Sequence, residues 1–314
     1  MSATGPHTAA IEATGLSRSF GQILAVDSVD LSVAPGAVFG LLGPDGAGKS
    51  TLIRMLATVL SPDSGDAWVQ GSSVTRAAGR VTPRIGYMSQ KFALYPDLTV
   101  QENIEFFAKL RGVPPAVRRG RMLELLESMG LAEFLDRQAG RLSGGMKQKL
   151  FLAVTLMHSP DVLLLDEPTT GVDPVSRREF WRILAGLHRG GTTVLVSTPY
   201  MDEAERCSDV AFLSRGRVLH RGTPAEIKAL VPGHLFEIRS EPPRVTLEAV
   251  TGLPGVLAVH LFGDIVRLLL ESDDPQPVHA ALARANVVAE VLPCPVDMET
   301  AFAFLAELSR EPVG

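Results

Sequence analysis

The chain has 314 residues, which allows one large domain or a large domain with a smaller one. Hydrophobic residues make up 46% and charged residues 21%, as in globular proteins with a sizeable core. The net charge of -5 provides no basic surface, so nucleic acid is not an expected partner. The two cysteines, Cys207 and Cys294, lie far apart without a CxxC motif, which indicates neither disulfides nor zinc and fits a reducing cytosol.

The first ten residues are small and polar, and we expect a flexible tail over residues 1–10. They lack the basic and apolar regions of a signal peptide. No apolar run approaches the roughly 20 residues that span a bilayer. If the protein acts at a membrane, we expect another chain to supply the spanning helices.

Apolar strands alternate with amphipathic helices over residues 11–232, which predicts an α/β domain with a mainly parallel sheet covered by helices on both faces. Strands are predicted at Val38–Leu42, Val162–Asp166 and Thr193–Ser197, and helices at Gly48–Leu60, Val175–Leu187 and Met201–Cys207. A helical insertion is expected over about residues 91–160, since Val100–Leu110 and Ala116–Met129 carry apolar residues at helical spacing.

The pattern changes after a predicted linker at Pro232–Gly233, and residues 233–314 are expected to form an accessory α+β domain. The predicted elements are a strand at Phe236–Ser240, a helix at Arg244–Val250, a hairpin of Leu257–Phe262 and Ile265–Leu270, a helix at Val278–Ala285, a strand at Val287–Leu292 and a helix at Thr300–Leu308. The order βαββαβ predicts a ferredoxin-like fold.

A glycine-rich segment between the first predicted strand and helix matches the phosphate-loop pattern G-x-x-x-x-G-K-[ST]. Its glycines let backbone N–H groups point at phosphates, and the helix presents its positive N-terminus to the anion. Lys49 can neutralise the β- and γ-phosphates, and the Ser50 hydroxyl can ligate Mg²⁺. The alternative is an accidental glycine-rich turn. The predicted phosphate-binding residues are Gly43, Pro44, Asp45, Gly46, Ala47, Gly48, Lys49, Ser50 and Thr51.

Two carboxylates stand at the end of the apolar strand Val162–Asp166, since Asp166 is its last residue and Glu167 follows directly. Asp166 is placed to hold Mg²⁺, directly or through water, and Glu167 can polarise an attacking water. Taken alone, this segment could equally be a strand that ends in a polar turn.

A second helix start of the anion-binding type lies at Leu142–Gln148. Ser143 is expected to cap the helix, while Gly144 and Gly145 allow close approach of the backbone. In isolation, the segment would be read as a capped helix without a ligand.

Together these motifs resemble the ATP-binding subunits of ABC transporters over about Ile11–Leu230, with the P-loop NTPase core of the ABC type. The resemblance implies ATP and Mg²⁺ as cofactors. It implies that Gln90 senses the metal and γ-phosphate, and that Asp173 in the D-loop communicates across a dimer. It also implies that Phe20 stacks on adenine, although an ordinary packed aromatic is an equal alternative.

In such proteins two subunits pair head to tail, and each ATP lies between the phosphate loop of one chain and the Leu142–Gln148 signature of the other. The resemblance implies a second ATP-binding subunit, identical or different, and transmembrane permease subunits as partners. It also implies a peripheral location at the cytoplasmic face of the membrane. The segment Leu94–Asn103 and the short C-terminal domain are most similar to bacterial exporters of the ABC-2 type, including drug exporters.

Two residues depart from the pattern of the family. Asp45 stands where many members have asparagine. Pro199 stands where the switch region normally has a histidine that bonds the γ-phosphate, and proline has neither a side-chain donor nor a backbone N–H. Neutral drift and a slowed active site are both open explanations for Pro199.

Two other functions compete with transport. A soluble ABC ATPase acting on ribosomes or DNA usually has two nucleotide-binding halves, a coiled-coil insertion or a basic arm, and this sequence shows none of them. The other alternative is a binding module that uses ATP only to stabilise its structure. This alternative stays open because Pro199 replaces the histidine.

Overall fold

The protein is described from a computed structural model over residues 8–91 and 93–308. Most of the predicted tail, residues 1–7, lies outside the described residues. At its end, Ala10 is buried and donates its N–H to the carbonyl oxygen of Val33, so this residue is held against the folded domain. Contacts divide the chain into two compact units, one up to Arg221 and one from Gly222 on.

The first unit is built from strands that alternate with helices. The strands are β1 (Ile11–Phe20), β2 (Ile23–Val33), β3 (Val38–Leu42), β4 (Ser64–Val69), β5 (Ser72–Ser73), β6 (Ile85–Met88), β7 (Val162–Asp166), β8 (Thr193–Thr198), β9 (Asp209–Ser214) and β10 (Arg217–Gly222). The helices are α1 (Lys49–Leu56), α2 (Ala78–Val81), α3 (Val100–Leu110), α4 (Pro115–Ser128), α5 (Gly144–Leu156), α6 (Pro174–Arg189) and α7 (Met201–Ala204).

The central sheet has the strand order β10-β9-β3-β8-β7-β6. Its pairs from β9 through β3, β8 and β7 to β6 are parallel. Every residue of β3, β7 and β8 is buried, as expected for the continuous apolar runs of a parallel sheet covered on both faces. The carboxyl ends of β3, β8, β7 and β6 therefore lie side by side at one edge, where open α/β sheets bind ligands.

A second sheet in this unit was not anticipated from the sequence. It is four-stranded, with the order β2-β1-β4-β5, and its pairs are antiparallel. Irregular register in the pairing of β1 with β2 interrupts the alternation of buried and exposed residues. Because that alternation is the sequence signature of a half-buried strand, the bulges conceal it.

The helical segments agree with the predicted positions to within a few residues, with one clear exception. α1 ends at Leu56 instead of Leu60, because the chain leaves the helix and Thr58 adopts a left-handed conformation with φ 61°. Helices α3, α4 and α5 lie between β6 and β7. Over the part of the chain that the structure describes, every helix is too short or too polar to cross a bilayer.

The second unit begins with a short helix, before the predicted linker at Pro232–Gly233, and continues in the predicted βαββαβ order. Its elements are α8 (Pro224–Ala229), β11 (His234–Ser240), α9 (Pro243–Val250), β12 (Val256–Phe262), β13 (Ile265–Leu270), α10 (Gln276–Arg284), β14 (Ala289–Pro293) and α11 (Met298–Leu308). The strand order is β12-β13-β11-β14 with antiparallel pairs, which is the ferredoxin-like topology.

The core of this second unit generates a stability prediction. Ile238 on β11 is fully buried, whereas Leu292 on the edge strand β14 is 42% exposed. Ile238→Ala should lower the free energy of unfolding of this unit by about 2–5 kcal/mol, because it leaves a cavity. Leu292→Ala should change it by no more than about 0.5 kcal/mol. Denaturant unfolding measures the free energy of unfolding of both variants. Equal losses would contradict the assignment of Ile238 to the core and of Leu292 to the surface.

Candidate nucleotide site

The phosphate loop between β3 and α1 depends on glycine at two positions. A Cβ atom at Gly43 would lie 2.1 Å from the Leu213 carbonyl oxygen, and one at Gly48 would lie 2.2 Å from that of Ala25. Both glycines also have positive φ, 149° and 104°. The loop therefore passes so close to β9 and β2 that only glycine fits at these positions.

Lys49 lies beneath this loop and is only 3% exposed. Its Nζ donates to the carbonyl oxygens of Gly43 at 2.9 Å and Pro44 at 3.1 Å. The same ammonium lies 3.3 Å from Oε1 of Glu167. A buried cation held by loop carbonyls and one carboxylate is well placed to accept a phosphate as a further anionic partner.

Asp166 ends β7 with its two carboxylate oxygens in different environments. Oδ1 accepts hydrogen bonds from Ser50 Oγ at 2.8 Å and from Ser197 Oγ at 3.0 Å. Oδ2 is buried and has no hydrogen-bond partner among the described residues. An orphaned carboxylate oxygen beside a serine hydroxyl is the type of hard-oxygen donor set that Mg²⁺ uses.

The described residues contain no group of three or more His, Cys, Asp or Glu side chains that could hold a metal by itself. Magnesium characteristically binds through one or two protein oxygens together with waters and substrate phosphates. Ser50 and Asp166 therefore fit the role of metal ligands that the sequence indicates.

Glu167 is buried, with only 7% of the residue exposed. Its backbone is strained, because φ is 49°. Its Oε2 accepts from Gln90 Nε2 at 3.0 Å and from Thr170 Oγ1 at 3.3 Å, and its N–H donates to Ser197 Oγ at 2.9 Å. A non-glycine residue held in this conformation by several contacts is typical of a functional position. The structure thus brings the side chains of Gln90 and Glu167 into contact.

The start of α5 carries the signature residues Ser143, Gly144 and Gly145. Ser143 caps the helix by accepting a hydrogen bond from the Met146 N–H at 3.2 Å. A Cβ atom at Gly145 would lie 2.3 Å from Ser176 Oγ on α6. Glycine therefore allows the N-termini of α5 and α6 to pack closely. Ser143 and Gly144 are exposed. The helix N-terminus is therefore accessible to an anion from outside the chain.

Asp173, the predicted D-loop residue, caps α6. Its Oδ1 accepts from the N–H groups of Val175 and Ser176, each at 3.0 Å. The bond from the Ser176 N–H is the main reason that the pKa of Asp173 is lowered. Its role in contact with nucleotide or dimer partner stays a prediction.

Phe20 ends β1 and is 48% exposed, next to the exposed side chains of Ile23 and Leu24. The guanidinium carbon of Arg18 lies 5.2 Å from its ring centroid. Phe20 is thus not a packed core aromatic, and its ring is accessible for stacking. Adenine binding by Phe20 stays a prediction.

The two departures from the family pattern occupy different surroundings. Asp45 is exposed at the tip of the phosphate loop, with Pro44 and Gly46 on either side of it. Pro199 is half-buried directly after β8, at the same sheet edge as Asp166 and Glu167.

Ser197 is a site residue whose role the sequence analysis missed. It is fully buried, and its hydroxyl donates to Asp166 while it accepts from the Glu167 N–H. It pairs with Asp166 across β8 and β7. A polar residue at the end of an otherwise apolar strand was the available signal, but only the strand order shows which carboxylates it meets.

The geometry of Lys49 generates a binding prediction. Lys49→Met keeps most of the side-chain volume but removes the charge that would contact the phosphates. Mg-ATP binding should weaken by about 1.5–3 kcal/mol, the range for charge-assisted hydrogen bonds. Calorimetry measures this change. Lys109→Met, at an exposed position on α3, removes the same charge elsewhere and should leave the affinity unchanged. Unchanged affinity in Lys49→Met would show that Lys49 is misassigned.

Comparison with known proteins supports the predicted family. The family described as ABC transporter matches residues 26–170. The daunorubicin/doxorubicin resistance ATP-binding protein DrrA of Streptomyces peucetius is 41% identical over 282 residues, which cover 89% of this chain and 86% of DrrA. The probable multidrug ABC transporter ATP-binding protein YbhF of Escherichia coli K12 is 47% identical over 79% of this chain. The chain spans only 43% of the length of YbhF.

A solved structure supports the fold. The dimeric ATP-binding cassette MJ0796, in a post-hydrolysis state bound to ADP and Pi, matches with a TM-score of 0.62 and 26% identity. The match covers 68% of this chain and 98% of that one. The predicted P-loop NTPase fold of the ABC type is confirmed, and with it the α/β class. The shared sequence and the shared fold show that the chain belongs to the ATP-binding proteins of ABC transporters.

Proposed function

We propose that this chain is the ATP-hydrolysing subunit of an ABC exporter. It would act at the cytoplasmic face of a membrane with separate permease subunits and a second ATP-binding subunit. The observation that carries the proposal is the convergence of Lys49, Asp166 and Glu167 at the carboxyl ends of β3 and β7. Export of a drug-like small molecule is supported by the names of DrrA and YbhF, which refer to drug resistance and multidrug transport.

Substrate binding would use the groups that already surround the phosphate loop. The ammonium of Lys49 is held by loop carbonyls and would contact the β- and γ-phosphates. Ser50 Oγ and Asp166 Oδ2 would ligate Mg²⁺, which when bound supplies positive charge against the phosphate oxygens. Phe20 would provide an aromatic face for the adenine.

Hydrolysis would depend on Glu167 as a general base. A water oxygen forms a bond to the γ-phosphorus while the bond to the β–γ bridging oxygen breaks, and the water proton passes to the Glu167 carboxylate. Gln90 donates to Oε2 of this carboxylate and thereby restricts its position. Ser197 holds the Glu167 backbone, so the base is oriented through both its side chain and its main chain.

The exposed signature fits a site shared between two chains. Ser143 and Gly144 face outward at the N-terminus of α5, where the helix dipole favours an anion. This start would bind the γ-phosphate of ATP held by the phosphate loop of the second subunit. ATP would thus close a head-to-tail dimer, and hydrolysis would reopen it and drive the permease.

Pro199 favours a second candidate function, in which the chain works beside a different, histidine-bearing ATPase. Its own phosphate loop would then form a slow site, while its exposed signature would complete a fast site on the partner. Neutral drift at residue 199 is the alternative, and it corresponds to a homodimeric exporter.

The role of Glu167 is tested by Glu167→Gln, which keeps the side-chain volume but removes the base. Hydrolysis should slow by about 10²–10⁴-fold, the usual contribution of a general base, while Mg-ATP still binds. The variant should accumulate as an ATP-bound dimer, measured by size-exclusion chromatography with light scattering. Hydrolysis at the parent rate would refute the assignment of Glu167. Glu205→Gln removes a carboxylate from an exposed position in the same unit and serves as the control.

The role of Pro199 is tested by Pro199→His. If the site is slowed by one missing γ-phosphate contact, the substitution should raise the ATPase rate of the isolated chain by about ten- to a hundredfold, which corresponds to roughly 1.5–3 kcal/mol. A steady-state phosphate-release assay measures the rate. A parent chain that already turns over at about 1–10 per second, and does not respond to Pro199→His, would favour the homodimer.

A further inference from the structure

A second buried carboxylate, Glu203, lies in α7, four residues beyond Pro199. It is 1% exposed and accepts hydrogen bonds from two threonine hydroxyls. Thr169 Oγ1 lies 2.8 Å from Oε1 and 3.0 Å from Oε2, and Thr198 Oγ1 lies 2.6 Å from Oε2. Neither threonine nor Glu203 is among the residues that the family resemblance assigns to phosphate or metal.

The charge of Glu203 is balanced by Arg177 in the first turns of α6. Arg177 Nε donates to Glu203 Oε1 at 3.2 Å. The other end of the guanidinium contacts Asp202, and its central carbon lies 3.9 Å from the ring centroid of Tyr200. A carboxylate without solvent is stable only when it is paired and hydrogen-bonded, so this cluster has one favoured arrangement.

The cluster joins three segments of the proposed active site. Thr169 comes two residues after Glu167, and Thr198 directly follows Ser197, which holds Asp166 and Glu167. Arg177 lies in the helix that Asp173 caps. The carboxylate of Glu203 therefore contacts three segments at once. They are the chain after β7, through Thr169, the end of β8, through Thr198, and the start of α6, through Arg177.

The same cluster holds the backbone on both sides of Pro199. Thr198 Oγ1 donates to Glu203 and accepts from the Tyr200 N–H at 3.0 Å, while the Tyr200 ring packs on Arg177. Pro199 itself has no N–H and no polar side chain. The side-chain contacts that hold this segment therefore come from Thr198 and Tyr200 and not from residue 199.

We propose that Glu203 is a positioning residue for ATP hydrolysis, which acts by locking the chain after Glu167 and the segment around Pro199 onto α6 through Arg177. It touches neither ATP nor metal; it holds Glu167 and Ser197 where they act. The inference rests on the proposed ATPase function. It predicts that Glu203 affects the rate of the chemical step and not the affinity for ATP.

The test compares Glu203→Gln with Asp202→Asn in the full-length chain. Both remove one carboxylate charge beside Arg177, but Asp202 is 71% exposed by side chain. Glu203→Gln should lower the single-turnover rate of ATP hydrolysis by about tenfold or more, with the Kd for Mg-ATP within about twofold of the parent. Asp202→Asn removes only the exposed partner of Arg177, so it should lower the rate far less than Glu203→Gln does and leave the Kd unchanged. Rates are measured well below the thermal unfolding midpoint of each variant.

A second pair of variants keeps the inference testable if Glu203→Gln does not fold. Thr169→Val removes the hydroxyl that Glu203 accepts from and keeps the shape, whereas Thr169→Ser keeps the hydroxyl. The valine variant should show the same loss of rate at unchanged affinity, and the serine variant should restore the rate. A purely structural role would instead lower the unfolding temperature of the valine variant and leave its rate intact.

The outcomes separate this inference from the proposed function. If the parent hydrolyses ATP in a manner that Glu167→Gln abolishes, but Glu203→Gln and Thr169→Val hydrolyse at the parent rate, the positioning role is refuted and the ATPase function stands. A weaker Kd with an unchanged rate also refutes it. If the parent shows no hydrolysis that depends on Glu167, the ATPase function fails, and the role of Glu203 fails with it.

Discussion

The hydrogen bonds that pair β8 with β3 on one side and β7 on the other set the geometry of the whole site. Leu42, the last residue before the phosphate loop, is in register with Thr198, and Asp166 is in register with Ser197. Because parallel strands lie about 4.8 Å apart, this pairing brings the phosphate loop, the two carboxylates after β7 and the segment around Pro199 within reach of one another's side chains. Lys49 can then contact Glu167 although the two residues are far apart in the sequence.

Two ion pairs, each with a buried carboxylate, lie near this sheet edge and are built differently. The ammonium of Lys49 and the carboxylate of Glu167 are both groups that ATP and water would engage, so this pair must loosen during the reaction. The pair of Arg177 and Glu203 is saturated by threonine hydroxyls and by ring packing on Tyr200. The fully hydrogen-bonded pair of Arg177 and Glu203 specifies one arrangement, whereas the pair of Lys49 and Glu167 can exchange partners.

The strongest sequence predictions were those in which local chemistry and local geometry coincide. A phosphate loop needs glycines where the backbone has positive φ, and Gly43 and Gly48 are in that conformation. The βαββαβ unit was predictable because each of its strands is bounded by turns and its helices are amphipathic. The antiparallel sheet of β1, β2, β4 and β5 was not, because bulges break the alternation of β1 and because β1 also pairs with β4, which is distant in sequence.

The sequence by itself determined the family and the fold class, and it predicted the residues of the phosphate loop and the acidic strand end, because each lies in a short contiguous motif whose chemistry is local. Only the tertiary structure decided what Ser197 and Glu203 contact. Their partners lie on other strands and helices, and a hydroxyl or carboxylate gains its role from the groups that surround it after burial. Strand order, which no local pattern encodes, brings those groups together.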